Sequence, residues 1–290
     1  MEAIDWSTPV SCETGLRREV GRFVAACDGR PWRVAWCAGT GFLGADELAL
    51  EVERTALAAT LDTLASGSHP ERGVFFFSSS AGGVYAGVGA PPYDESSPLR
   101  TLTAYGDAKL RAERMVAEWC LDVGTSALIG RITTLYGPGQ NLAKPQGIIS
   151  QVCRSYLSGR PSSIYVPLDT IRDYLYVADA AGLIADGMSR LEHERTVDGS
   201  TVVTKILASQ RPITIGAVLG EMRRVFKGSP RYVVASSVLS NVQTRDLSVR
   251  SRVWPELDRR TLTPLPVGVA RTAADLLGQL QQGDLAAASR

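Results

Sequence analysis

The sequence predicts an α/β fold built on parallel strands, and three observations carry that expectation. Short apolar runs at residues 33–37, 74–79 and 127–132 suit strands buried on both faces. Between them apolar residues recur at helical spacing, as in Leu16, Val20, Phe23, Val24 and Cys27, and again in Leu50, Leu57, Leu61 and Leu64. Strand-length and helix-length segments then keep alternating through the second half of the chain, the order that doubly layered α/β folds require.

Taken in order, the first helix covers residues 16–27, with Ser11 or Thr14 as its cap, and leads into the strand 33–37. A long helix carrying Leu50 to Leu64 follows, then the strand 74–79. A second long helix turns Ala108, Ala112, Met115, Val116 and Trp119 inward ahead of the strand 127–132. Residues 147–158 read as a helix burying Ile148, Ile149, Val152, Cys153 and Tyr156. Strands at 164–166 and 174–177, a helix through Met188, a strand at 201–206 and a helix at 214–226 come next. Residues 250–266 look irregular, a last helix covers about 267–280, and residues 286–290 fray.

Composition bounds the function classes. The chain has 290 residues, 44% hydrophobic and 21% charged, with a net charge of +1, which is ordinary globular material with enough length for a sizeable core. With no Lys/Arg run, neither nucleic acid nor a membrane surface is expected as a partner. No apolar stretch reaches the ~18 residues that span a bilayer, and residues 1–5 lack a basic leader. The five cysteines (Cys12, Cys27, Cys37, Cys120 and Cys153) show no CxxC spacing and read as reduced thiols of a cytoplasmic protein. His69 and His193 are the two histidines, so no metal site is expected.

The chemistry concentrates between Ser78 and Lys109. A buried run ending in Ser78-Ser79-Ser80 delivers hydroxyls to the end of a strand, and Tyr105 and Lys109, four residues apart, share one helix face. A free phenol has a pKa near ~10, and a neighbouring ammonium favours the phenolate and lowers it. Tyr105 could then take a proton from a substrate hydroxyl while Ser80 donates to the same oxygen. Removal of hydride from the carbon would need a nicotinamide, because no side chain accepts hydride.

These residues resemble the Ser and Tyr-x-x-x-Lys signature of the extended short-chain dehydrogenase/reductase superfamily, in its NAD-dependent epimerase/dehydratase branch acting on nucleotide sugars. The run Arg131-Ile132-Thr133-Thr134-Leu135-Tyr136-Gly137-Pro138-Gly139-Gln140 resembles that family's segment after the following strand. Arg172-Asp173-Tyr174 resembles its Arg-Asp-Tyr segment, and the ordered matches extend over residues 33–181.

The resemblance implies a Rossmann-like doubly wound parallel sheet with a small C-terminal lobe that closes over the sugar nucleotide. Residues 1–160 would form a partial NAD(P)-binding domain, and residues 161–290 the last core strands and that lobe. It implies Ser80, Tyr105 and Lys109 as the catalytic trio, with Ser79 the fallback serine. Ala38, Gly39, Tyr105, Lys109 and Arg131 would contact NAD or NADP. Ser79, Thr134, Gln140, Asn141 and Arg172 would contact the sugar nucleotide, with Lys144 and Gln146 as further candidates. The signature helix often pairs with its own copy in this family, which allows a homodimer.

Three departures qualify these expectations. The spacing Gly39-x-Gly41-x-x-Gly44 follows a strand and precedes a helix, as a dinucleotide fingerprint does. Only about 35 residues separate Gly44 from Ser80, however, too few for two further βα units at roughly 30 residues per βαβ, which favours a glycine-rich loop. The family's first βαβ unit, with its phosphate-binding glycine turn, is then expected to be missing, leaving an exposed sheet edge and a tendency to self-associate. Glu51-Val52-Glu53-Arg54-Thr55 replaces the family's Asn-Val-x-Gly-Thr, with Glu51 either facing the cofactor or lying on a solvated helix face. Ala81-Gly82 stands where family dehydratases carry Asp-Glu after the serine, which disfavours dehydration. The alternative to an enzyme is a non-catalytic binding protein on the same scaffold.

Overall fold

The computed structural model describes residues 3–39, 44–87, 89–142, 146–198, 200–235 and 244–282. Its backbone falls into two compact units. The first gathers Met1–Val88, Pro98–Arg131 and Ile184–Lys205, and the second Gly89–Ser97, Ile132–Leu183 and Ile206–Arg290. Gly41 of the glycine-rich spacing, Lys144 and residues 286–290 lie outside the described residues.

The first unit opens with α1 (Pro9–Cys27), followed by β1 (Trp32–Trp36), α2 (Glu47–Ala65), β2 (Gly73–Ser80), the single turn α3 (Ala81–Val84), α4 (Ala104–Val123) and β3 (Ser126–Ile132). Together with β8 (Val202–Leu207) the strands form a four-stranded sheet in the order β1-β2-β3-β8. β1 and β2 run parallel, Trp32 opposite Gly73 and Trp36 opposite Phe77. Phe75, Phe76 and Phe77 are all buried, so β2 is apolar on both faces, the mark of a strand covered by helices on each side. At about 1.5–3 kcal/mol for each fully buried large side chain, this run anchors the unit and fixes where its terminal serines emerge. Leu57, Leu61 and Leu64 of α2 pack into the same core as Val116 and Cys120 of α4.

The second unit contains β4 (Thr134–Tyr136), α5 (Ile148–Ser158), β5 (Ser162–Ile164), β6 (Ile171–Arg172), β7 (Tyr174–Tyr176), β9 (Ile213–Thr214), α7 (Ile215–Phe226), β10 (Tyr232–Val234) and α8 (Leu265–Gln282), while α6 spans Val177–Asp198. β4 pairs with β7 and β5 with β10 in parallel, and β6 pairs with β9 antiparallel. Ile149, Val152 and Cys153 of α5 meet Val218 and Met222 of α7 and Val269 of α8 in a fully buried cluster.

The α/β class and the parallel strand order match the sequence expectation, and several details correct it. α1 starts at Pro9 because Thr8 caps it, its hydroxyl accepting from the Ser11 amide at 3.2 Å, and because proline suits the first helical position. Ser11 and Thr14 therefore lie inside the helix. Tyr156 is half exposed, stacking on Phe226 at 4.2 Å and donating to the Phe226 carbonyl. The short strands β4, β6, β9 and β10 were not expected. Two or three residues are too few to display an alternating pattern.

Candidate active site

Three side chains of the first unit meet where β2 ends. Ser80 closes the strand and caps α3, its hydroxyl oxygen accepting from the Gly83 amide at 3.1 Å. The Tyr105 ring lies beside the same hydroxyl, both packing over Gly83, and the hydroxyl favours the ionised phenol. Tyr105 lies in the first turn of α4, which Thr103 caps through the Gly106 amide at 3.2 Å. Gly106 is required there, because a Cβ would sit 2.3 Å from the Gly83 carbonyl oxygen. That backbone approach is what sets the phenol beside Ser80.

Lys109, one turn further along α4, keeps a side chain only 12% exposed. Its Nζ donates to the Ser78 carbonyl at 3.4 Å and lies 5.6 Å from the centre of the Tyr105 ring. The ammonium also faces a carboxylate, with Glu53 Oε2 at 3.9 Å. Of the two readings open for Glu51, the solvated one holds, since it pairs with Arg54 on the exposed face of α2. Glu53, two residues on, points inward and packs over Gly39, whose φ of +136° only glycine adopts readily.

The proton affinity of Tyr105 departs from the sequence argument. Burial pushes the phenol up from its ordinary value, the Ser80 hydrogen bond opposes this, and the Glu53 charge adds to the rise. The expected lowering is outweighed by burial, and the ammonium meant to supply it has an acid of its own beside it. Cys37, just beyond β1, also feels the Lys109 charge, although burial dominates and raises its thiol.

The remaining expected contacts of this unit are placed differently from one another. Ala38 and Gly39 follow β1 toward the same end of the sheet. Arg131, expected at the cofactor, is buried: Nε and Nη2 donate to Glu113 at 3.1 and 2.7 Å, and Nη1 donates to the Tyr85 hydroxyl at 2.8 Å. Ser79 is buried too and donates to the same Glu113. Glu113 was missed from sequence, although it stands four residues past Lys109 and eight past Tyr105 on one helix face. That spacing was the available signal.

Apart from Ser79, the expected substrate residues lie in the second unit. Thr134 opens β4, its amide donating to the Asp173 carbonyl at 3.0 Å. The buried Asp173 carboxylate accepts from Thr133, from the Ser209 amide and hydroxyl, and from the Arg211 amide. Arg172 is thus not paired with its neighbour Asp173, nor with Asp169, which takes Arg245. Its guanidinium donates to the Ile171 carbonyl at 2.7 Å, and burial lowers its proton affinity. Gln140 accepts from Ser150 at 2.6 Å and fills the space over Gly147, while Asn141 is exposed. Among the described residues no group of acids, histidines or cysteines is arranged to hold a metal ion, and no helix is long and apolar enough to cross a membrane.

Known proteins resemble this chain in sequence and in fold. The dTDP-4-dehydro-6-deoxyglucose reductase of Escherichia coli is 30% identical over 118 residues, covering 41% of this chain and 36% of the relative. A putative UDP-glucose 4-epimerase of Methanocaldococcus jannaschii is 30% identical over 105 residues, 36% of this chain and 34% of the relative. The matched stretches thus span about a third of those relatives' length. Among solved structures, the UDP-glucose 4-epimerase of Bifidobacterium longum superposes with a TM-score of 0.75 at 15% identity, covering 93% of this chain and 82% of that one. The Thermus thermophilus UDP-glucose 4-epimerase gives 0.73 at 18% identity, with 92% and 82% covered. At those identities the likeness establishes a shared Rossmann-type fold. A family model matches residues 30–197, more than half of the sequence and the whole stretch from β1 through the Ser80, Tyr105 and Lys109 cluster, and on that match the chain belongs to the NAD dependent epimerase/dehydratase family.

Proposed function

We propose that the chain is an NAD(P)-dependent oxidoreductase of a nucleotide sugar, acting as an epimerase or reductase. The observation that carries this reading is the meeting of the Ser80 and Tyr105 side chains over Gly83, with the Lys109 ammonium 5.6 Å from the centre of the same Tyr105 ring. Related proteins support the substrate class, since the solved B. longum epimerase is in complex with NAD+ and UDP.

The residues present fit the nicotinamide end of a dinucleotide. A hydroxyl, a phenol and an ammonium converge at the carboxyl end of a parallel strand, where open α/β sheets take their ligands. Among the described residues, no glycine-rich strand-to-helix turn stands ahead of β1 to receive a pyrophosphate. When bound, the nicotinamide supplies the hydride acceptor or donor.

The chain's own residues do the rest. Tyr105 exchanges a proton with the substrate oxygen at the carbon being oxidised or reduced. Ser80 orients that oxygen and shares its hydrogen bond as charge shifts onto it. Lys109 supplies donors for ribose hydroxyls, with Ala38 and Gly39 after β1 as the proposed neighbours of the dinucleotide. Arg172, Thr134, Gln140 and Asn141 are the proposed sugar-nucleotide contacts, with the Arg172 guanidinium suited to a diphosphate. No carboxylate follows Ser80, since Ala81 and Gly82 begin α3, so elimination of water by an adjacent acid pair is disfavoured.

Calorimetric titration with NAD+, NADH, NADP+ and NADPH tests the reading. Binding of one pair, tightened by a UDP- or dTDP-sugar, is the expected result. Absence of binding to all four, in folded protein, would favour a non-catalytic role.

A further inference from the structure

A carboxylate stands just past the carboxyl end of β1, where a dinucleotide would meet the sheet. Glu53 lies on the apolar face of α2, three residues past the buried Leu50 and four before the buried Leu57. Its side chain is 15% exposed, and its carboxylate atoms lie 2.8–2.9 Å from the point where a Cβ on residue 39 would stand, so a side chain at that position would displace it. Oε2 also lies 3.9 Å from Nζ of Lys109, whose side chain is 12% exposed. An acid and an ammonium thus stand side by side next to Gly39, both mostly out of water.

We propose that Glu53 is a further binding residue for the dinucleotide and that, together with Lys109, it grips the adjacent hydroxyls of the ribose that carries the nicotinamide. This rests on the reading of the site as a dinucleotide site. A carboxylate only accepts and an ammonium only donates, so neighbouring hydroxyls of one sugar ring can donate to the first and accept from the second. Hydrogen bonds with an ionised partner are the stronger kind, and a mostly buried site strengthens them further. The same charge disfavours a phosphate over Gly39, since two anions repel where little water screens them. An uncharged group rich in hydroxyls is therefore the chemistry that this end of β1 accepts.

The other acids nearby are engaged elsewhere. Glu51 pairs with Arg54 on the exposed face of α2. On α4, the exposed Asp107 accepts from Thr101, and the buried Glu113 holds Arg131 and Ser79. Glu53 is the acid that shares Lys109.

Calorimetric titration tests the proposal with two probes: whichever of NADH and NADPH the full chain binds, and the same dinucleotide with both hydroxyls removed from the nicotinamide ribose. Glu53→Gln keeps the shape and removes the charge. It is expected to weaken the parent dinucleotide about tenfold and the dideoxy analogue less than about twofold. An equal loss for both probes, the mark of a merely structural role, overturns the proposal, as does a parent affinity that is unchanged or tighter. Should Glu53→Gln not fold, Glu53→Asp, which draws the carboxylate back by a methylene, takes its place with the same contrast expected and the same results overturning it. A full chain that binds neither NADH nor NADPH overturns the proposed function along with this inference. Binding without the contrast between the probes overturns this inference alone.

Discussion

Glu113 and Arg131 form a two-point ion pair, 2.7 and 3.1 Å long, inside the first unit, with both side chains less than 10% exposed. The pair ties the helix that carries Tyr105 and Lys109 to the strand β3. Ser79 at the end of β2 and the Tyr85 hydroxyl complete the ring of partners. One cluster therefore sets the register of α4 against the sheet.

Removing one partner leaves a buried charge uncompensated, which costs about 3–5 kcal/mol. Glu113→Ala is expected to lower the unfolding midpoint in urea by a corresponding amount. Glu113→Gln combined with Arg131→Met is expected to recover a good part of that loss, since the double variant buries no lone charge. A double variant as unstable as the single one would contradict this account.

Glycine positions give a contrast in sign. At Gly106 an added Cβ meets the backbone oxygen of Gly83 at 2.3 Å, and a carbonyl inside a helical turn cannot swing away. Gly106→Ala is expected to destabilise by about 1–3 kcal/mol and to loosen the Ser80 to Tyr105 contact. Gly220 in α7 has nothing within 4 Å of such a Cβ, so Gly220→Ala should stabilise by about 0.5–1 kcal/mol. Thermal melts of the two variants check both signs.

Much of this site was legible because its carriers are long. The apolar run of β2 fixes where Ser80 emerges, and the four-residue interval sets Tyr105 and Lys109 on one face of α4. The same periodicity bears on the acids of α2: Glu53, three residues past Leu50 and four before Leu57, falls on the apolar face, and Glu51 does not. Arg131 is expected at the cofactor from the resemblance alone, and its partners Glu113 and Tyr85 come from segments that sequence order does not bring beside it. The short strands β4, β6 and β9 depend on pairing between distant segments, such as Ile171 with Thr214, and leave no local pattern.

Alkaline stability follows from two thiols. Cys120 and Cys153 are fully buried, and burial pushes each up to about 12 from an ordinary 9.0. Between those values the unfolded chain has released protons that the native chain still holds. Stability therefore falls as pH rises, by up to about 1.4 kcal/mol per pH unit for each thiol, and is unaffected by them below pH 9. Urea midpoints measured from about pH 8 to about pH 10.5 should fall progressively, and Cys120→Ala should flatten the slope.

The central claim is that Tyr105 carries the proton for hydride transfer between a nicotinamide and a nucleotide sugar. A single-turnover measurement of nicotinamide absorbance, with a panel of UDP- and dTDP-sugars, tests it in the full chain and in Tyr105→Phe. The account predicts an absorbance change with at least one sugar in the full chain, slowed by about 10²–10⁴ in the folded phenylalanine variant. An equal rate in Tyr105→Phe, or no absorbance change with any sugar despite bound dinucleotide, would contradict it.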